Sequence, residues 1–261
     1  MPVPLLPVDL GPGVRAWYTT SAGGVSSGPY APLAGQHDGH NLRQHDGGLN
    51  LGDHVGDDPA AVAANRARLD RAVGAPVAWM RQVHGAVVQA LAPGTPLREC
   101  DALVAVAVAG PAPVAVGVLV ADCVPVLLAA PDGALVSAVH VGRAGLVRGV
   151  LQAALRALDE RGAPPAVVRA AVGPSICGRC YEVPAALAAQ VAGQVPAAAA
   201  RTSWGTPALD LPAGVLAVLA AAGVREVAHV AACTREDARF YSYRRAGGGR
   251  TGRFAGVVLP A

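Results

Sequence analysis

Three side chains in this sequence could together hold a reactive metal ion: His84 in MRQVHG, Cys123 in VADCVPVLL and His140 in SAVHVG. Each ends or interrupts an apolar, strand-like run, and Cys123 and His140 stand only 17 positions apart. If strands 114–120 and 134–139 are neighbours, their C-terminal ends bring thiolate and imidazole together. Two imidazoles, one thiolate and an open fourth position make a catalytic zinc set. Zinc there acidifies a water towards neutral pH, giving hydroxide as nucleophile, and keeps the cysteine deprotonated in apolar surroundings. The same residues admit a second chemistry. Cys123 as nucleophile, His140 as base and Asp122 as orienter describe a cysteine hydrolase or amidase. Taken singly, a histidine beside a strand is more often structural, and a cysteine within VADCVPVLL more often a small hydrophobe. Spacing alone leaves both chemistries open, and zinc that disappears with His84→Ala separates them.

Other residues invite weaker readings. Cys177 and Cys180 form CGRC. A zinc ribbon needs a second such pair, which is lacking, and a thioredoxin-like motif needs a strand-to-helix setting, whereas this one follows GPSI and precedes YEVP. Packing or an incidental redox pair is the expectation. The stretch SYRRAGGGRTGR, residues 242–253, concentrates four arginines among glycines. Arginine binds phosphate bidentately, although exposed arginine is usually only solvated. The start of a helix just beyond His140, with Arg143 and Arg148 nearby, offers free N–H groups to an anion. Residues 31–49, APLAGQHDGHNLRQHDGGL, carry His37, His40 and His45, yet no periodic apolar residue fixes them, so a flexible surface insertion is expected.

The positioning elements follow from periodicity and punctuation. A helix is predicted over 56–74, capped by Asp57 or Asp58 with Pro59 in its first turn and Gly74 as its stop. Strands are expected near 86–91, 102–108, 114–120, 124–129 and 134–139, then 166–172 and 224–231, with FAGVVLP closing the chain. A second helix is predicted over 145–161, and shorter ones near 184–193 and 211–222. Residues 102–121 are uncharged for the length of a membrane span, but Gly110-Pro111-Ala112-Pro113 divides them, so two buried strands are expected. One domain spanning 1–261 is the economical organisation.

Composition excludes several classes. Hydrophobic residues make up 52% and charged residues 15%, which excludes a disordered chain. All 21 basic residues are Arg, and the net charge of +3 is spread without a basic block, so nucleic-acid binding has little support. The prolines of MPVPLLPVDLGPG break its apolar run and argue against a secretory signal. Five cysteines, odd in number, fit a reducing cytoplasm.

In order, NLGDHVGDDPAAVAANRARL, RQVHG, ADCVPVLL, AVHVG, GPSICGRCYEV and CT…FYSYRR…TGR resemble the motifs of the bacterial polyphenol oxidase (laccase-like) family, from about Thr19 to Phe254. That family is also described as purine nucleoside phosphorylase and peptidoglycan editing factor. The resemblance implies an α+β fold of packed mixed β-sheets flanked by helices, and zinc on His84, Cys123 and His140. It also implies a cytoplasmic enzyme that phosphorolyses adenosine, inosine, guanosine and methylthioadenosine and deaminates adenosine. Asp122 is then the proton-transfer candidate and Cys123 the reactive thiolate, with Asn50, Arg143 and Arg244 as contacts to nucleoside or phosphate. Neither nucleic acid nor membrane is expected as a partner. Copper is the less favoured ion, because blue-copper and multicopper sites want an axial Met and His-x-His pairs. The chain has seven histidines, no His-x-His, and only Met1 and Met80. Two departures stand out: Ser21 occupies a family Arg position, and Arg143-Ala144 replaces Trp-Arg. A cysteine-type hydrolase acting on cell-wall precursors and a non-catalytic zinc protein remain the alternatives.

Overall fold

Alternate residues of the apolar runs face two different cores, and this decides where the polar residues at their ends must point. The computed structural model describes residues 3–33, 47–92, 96–107 and 113–261. Within them the strands are β1 (Leu5–Pro7), β2 (Arg15–Thr19), β3 (Ala22–Gly24), β4 (Gly47–Gly48), β5 (Val77–Trp79), β6 (Val88–Ala90), β7 (Ala102–Val106) and β8 (Ala115–Val120). There follow β9 (Val124–Ala129), β10 (Leu135–Val141), β11 (Arg169–Val172), β12 (Ala199–Arg201), β13 (Pro207–Leu209), β14 (Glu226–His229) and β15 (Phe254–Leu259). The helices are α1 (Pro59–Val73), α2 (Arg143–Arg148), α3 (Val150–Asp159), α4 (Ala185–Gln194) and α5 (Leu211–Ala221).

Two mixed sheets stack face to face, one in the order β1-β2-β15-β8-β5 and the other β14-β11-β9-β10-β7-β6. Between them lie Val116, Val118 and Val120 of β8, Leu127 and Ala129 of β9, Val136 and Ala138 of β10, and Leu103 and Ala105 of β7. The alternate residues of β9 and β10, including Val126, Leu128 and Val139, pack on Leu151 and Leu155 of α3 and Val215 and Leu219 of α5. On the far side, Ala115 and Leu119 of β8 pack with Leu69 and Val73 of α1. Covering both sheets leaves their central strands apolar on both faces, each fully buried Val or Leu contributing roughly 1.5–3 kcal/mol. The fold is thus a single α+β domain of packed mixed sheets flanked by helices.

Strands 114–120 and 134–139 are neighbours across the seam and not within one sheet: β8 and β10 belong to different sheets. Helix α1 forms as its signals predict, with Asp58 accepting from the Ala60 N–H at 3.0 Å and Gly74 at φ 78° ending it. The predicted helix 145–161 starts earlier, at Arg143, and breaks at Gly149, whose φ of 78° suits glycine and little else. Strands β7 and β8 confirm two strands within 102–121, while most of the intervening turn lies outside the described residues. Among the described residues, no helix is long and apolar enough to cross a membrane. His37, His40 and His45 also lie outside them, but Gly47–Gly48, at the end of that stretch, form β4 against β3.

Candidate metal centre

Period two carries three polar side chains into the same seam. Asp101 continues the Leu103–Ala105 row of β7, Cys123 precedes the Pro125–Leu127 row of β9, and His140 follows Val136 and Ala138 on β10. Antiparallel pairing of β9 with β10 sets Val141 opposite Val124 and His140 opposite Pro125. The residue entering β9 therefore meets the end of β10, and this is what brings Cys123 to His140. His84 arrives from the loop after β5, at a φ of 57° that is costly for a residue with a Cβ.

Asp101, wholly buried and without a local sequence signature, holds both histidines. Its Oδ1 accepts from His140 Nδ1 at 2.7 Å and from the His84 backbone N–H at 2.9 Å. Its Oδ2 accepts from the N–H groups of Gly85 at 2.6 Å and Val83 at 3.3 Å. Burial alone would raise this carboxyl, but the bonds from His140 and the loop hold it below the usual range. An ionised carboxylate only accepts, so Nδ1 of His140 carries the proton and Nε2 is left for the cluster. Arg148 donates to the His84 carbonyl at 3.1 Å and closes the loop from the other side.

The donor atoms of His84, Cys123 and His140 lie within 4.8 Å of one another. Cys123 Sγ is 3.7 Å from His84 Nε2, and the two imidazoles meet edge to face with centroids 4.6 Å apart. Zinc with Zn–N of about 2.0 Å and Zn–S of about 2.3 Å implies an N···S edge of about 3.5 Å, so the set fits such an ion. Burial opposes charge on both partners, yet the His140 charge and both imidazole hydrogen bonds draw the Cys123 thiol down to about 6. The thiolate and Asp101 in turn lift His140 to about 9. Gly142 allows this approach, since a Cβ there would lie 2.6 Å from His84 Cδ2 and 3.2 Å from Cys123 Sγ.

The cluster opens onto a cavity of about 470 Å³ whose lining includes His54, Arg143, Arg244, Arg253, Tyr181 and Tyr243. Arg244 donates to the Glu182 carbonyl at 2.8 Å and lies 5.0 Å over the Tyr181 ring. Asp122, at φ 90°, also lines the cavity, but its carboxylate is engaged: Oδ1 by the Thr234 hydroxyl and Oδ2 by the Arg244 N–H, each at 2.6 Å. It clamps the wall that carries Arg244.

Asn50 needs correction. It is wholly buried and does not line the cavity; its Oδ1 accepts from Gly52 and Arg253 N–H groups, and its Nδ2 donates to Gly52 and Asp57. Its amide supports the backbone of Arg253, a cavity residue, instead of a substrate. Of the four arginines in SYRRAGGGRTGR, Arg244 and Arg253 reach the cavity. Arg245 donates to the Thr234 and Phe240 carbonyls, and Arg250 lines a smaller cavity together with Ser21. Arg143 and Ala144 both line the large cavity, so Arg143 stands at the wall where the family pattern differs. His54, in the motif NLGDHVGDD, also lines the cavity, and nothing local to that motif marks it as a site residue.

The family described as multi-copper polyphenol oxidoreductase laccase matches residues 15–261. A purine nucleoside phosphorylase of Streptomyces coelicolor is 48% identical over 252 residues, which cover 94% of this chain and 95% of that protein. Another, from Deinococcus radiodurans, is 40% identical over 269 residues, covering 99% and 94%. The crystal structure of a Neisseria meningitidis protein superposes with a TM-score of 0.82 at 33% identity, covering 98% of both chains.

Proposed function

The chain belongs to the multi-copper polyphenol oxidoreductase laccase family, and we propose that within it this protein is a zinc-dependent purine nucleoside phosphorylase that also deaminates adenosine. The observation that carries the reading is the Asp101-braced set His84, Cys123 and His140 at the mouth of a cavity lined by three arginines and two tyrosines. Relatives named purine nucleoside phosphorylase over nearly the whole chain support it. The substrates are adenosine, inosine, guanosine and methylthioadenosine, with phosphate as co-substrate. Zinc would supply Lewis acidity and a water that ionises near neutral pH.

The chain's own residues do the rest. Asp101 fixes the His140 tautomer and the His84 loop. Arg143, Arg244 and Arg253 bind phosphate and hold it towards the ribose C1′, where the bond to the purine breaks. Tyr181 and Tyr243 offer ring faces to the purine. Asp122, with both oxygens engaged, acts as a positioning residue for Arg244 rather than a proton carrier. Among the described residues no second metal-capable group contains histidine, which favours zinc over a copper cluster at this centre. Five free thiols support work in a reducing cytoplasm.

One observation favours the cysteine hydrolase as a second reading: the pull of Cys123 and His140 towards a thiolate–imidazolium pair. A nucleoside panel, with and without phosphate, on protein of measured zinc content decides between them. Free base released only with phosphate, and adenosine converted to inosine without it, are expected, and both fall with zinc in His84→Ala. Adenosine left unchanged by zinc-loaded protein would overturn the proposal; metal-independent, alkylation-sensitive amide hydrolysis would replace it.

A further inference from the structure

We propose that Cys177, Cys180, Cys233 and Glu236 form a second zinc site, structural in kind, which braces one wall of the cavity. In the sequence CGRC has no second Cys-x-x-Cys pair. The structure supplies one in the form Cys-x-x-Glu, and the four donor atoms lie within 4.8 Å of one another. Both pairs sit on turns of the same build: the Cys180 N–H donates to the Cys177 carbonyl at 3.0 Å, and the Glu236 N–H to the Cys233 carbonyl at 3.1 Å. A parallel bridge between Ser175 and Cys233 stitches the turns together, with Ser175 N–H to Ala232 and Thr234 N–H to Ser175 each at 3.1 Å. The convergence therefore comes from the backbone.

The immediate surroundings suit a metal. The Cys177 N–H points at Cys233 Sγ, 3.5 Å away, a bond that offsets thiolate charge. Glu236 divides its oxygens: Oε1 lies 3.4 Å from Cys180 Sγ, while Oε2 takes Arg179 at 3.3 Å, as a ligating carboxylate takes an outer partner. Three thiolates and a carboxylate around Zn²⁺ leave net negative charge, and Arg179 and Arg235 stand beside it, the latter donating to the Cys180 carbonyl. With Zn–S of about 2.3 Å, a tetrahedral S···S edge is about 3.8 Å, so the set closes by small side-chain rotations. Four protein donors leave no open position, which marks a structural rather than a catalytic ion. A redox dithiol would use two of the sulfurs and gain nothing from a third thiol and a carboxylate facing them.

The placement gives the site its task. Ile176 and Tyr181, on either side of the CGRC turn, line the cavity. Thr234, next to Cys233, holds Asp122, which in turn holds Arg244.

Zinc content of the purified full chain tests this independently of the function proposed above. Two zinc ions per chain are expected, falling to one in Cys233→Ser, to one in His84→Ala, and to none in the double variant. X-ray absorption of the His84→Ala protein should show zinc bound mainly by sulfur. In wild type, Cys177, Cys180 and Cys233 should resist alkylation until a chelator is added, a readout that needs no variant to fold. A single zinc removed by His84→Ala, with these three thiols alkylated at once, would overturn the site. A Cys177–Cys180 disulfide in freshly purified protein would do the same.

Discussion

The two thiol clusters are built by opposite means. Around His140 the donors come from three separated segments: the β9–β10 pairing brings Cys123 to His140, and what ties the two histidines together is one buried carboxylate, Asp101, with an acceptor bond to His140 and three to the His84 loop. Around Cys180 the donors come in two pairs from two stitched turns, and the backbone does the uniting. The first cluster has three donors and faces a cavity of about 470 Å³; the second has four, half of them flanked by cavity-wall residues. A centre meant to react keeps a position free and depends on a side chain that can tune it. A centre meant to hold keeps none free and depends on chain geometry. Disturbing each support in turn should separate them.

The largest effect is expected from Asp101→Asn. The amide would turn donors towards N–H groups that now meet oxygen, and it would leave His140 without its charged partner. Removing one member of a buried ionic pair costs roughly 3–5 kcal/mol, and loss of such an outer partner weakens metal binding roughly 10–100-fold. Thermal melting and zinc competition should show both losses at the first centre, with zinc at the second retained. Equal zinc loss from both clusters would erase the distinction.

Next in size is the pH response after chelation. The Cys123 pKa falls from 9.0 to about 6, so its contribution to stability is present above 9 and is lost as pH falls through 6. The His140 pKa rises from 6.5 to about 9, so its contribution is present below 6.5 and is lost as pH rises through 9. Between 6.5 and 9 the two slopes oppose, and stability should be nearly flat. Alkylation should find Cys123 reactive at pH 7, whereas Cys180, pushed up to about 12 by burial and neighbouring thiolates, reacts last. In His140→Gln the Cys123 rate should lose its plateau and climb with pH up to 9. An unchanged profile would mean that His140 does not charge the thiol.

The same contrast explains what was legible in the sequence. His84, Cys123 and His140 stood out because each breaks an apolar run, and α1 because its caps are local signals. Asp101 was not visible as their partner, since a lone acid ahead of ALVAV gives no sign of the imidazole 39 positions later. That β8 and β10 lie in different sheets is hidden for a related reason. Strands buried on both faces lack the polar alternation that would tell one face from the other, so nothing local says which sheet each joins. The break at Gly149 is invisible within the predicted helix 145–161, because a left-handed residue leaves no mark on apolar periodicity. Asn50 enters as a ligand contact through the family resemblance alone, and only the fold shows its amide fully used indoors. At the second cluster a four-cysteine pattern is incomplete, and a glutamate three residues after Cys233 has no such signature.

A smaller effect should follow Gly142→Ala. The backbone at φ −80° accepts alanine, so the fold should hold. The new methyl would meet His84 Cδ2 at 2.6 Å and must push the ring away from Cys123. Zinc affinity at the first centre should drop about tenfold, as for other losses of ligand orientation, with little change in melting temperature. Unaltered affinity would show that His84 is not held where the geometry puts it.

The smallest effect tests the other side of the comparison. Arg179 is 70% exposed, and its partner Glu236 is 51% exposed. Water screens such a pair, and exposed ion pairs seldom register in folding. Arg179→Ala should therefore leave the melting temperature of chelated protein where it was, and leave the first centre untouched. It should still loosen zinc at the second cluster severalfold, because Glu236 loses the contact that turns Oε1 towards Cys180. If the backbone does the uniting, removing this side-chain brace must cost far less than removing Asp101 from the seam. Complete zinc loss from the second cluster in Arg179→Ala would show that it too hangs on one charged side chain.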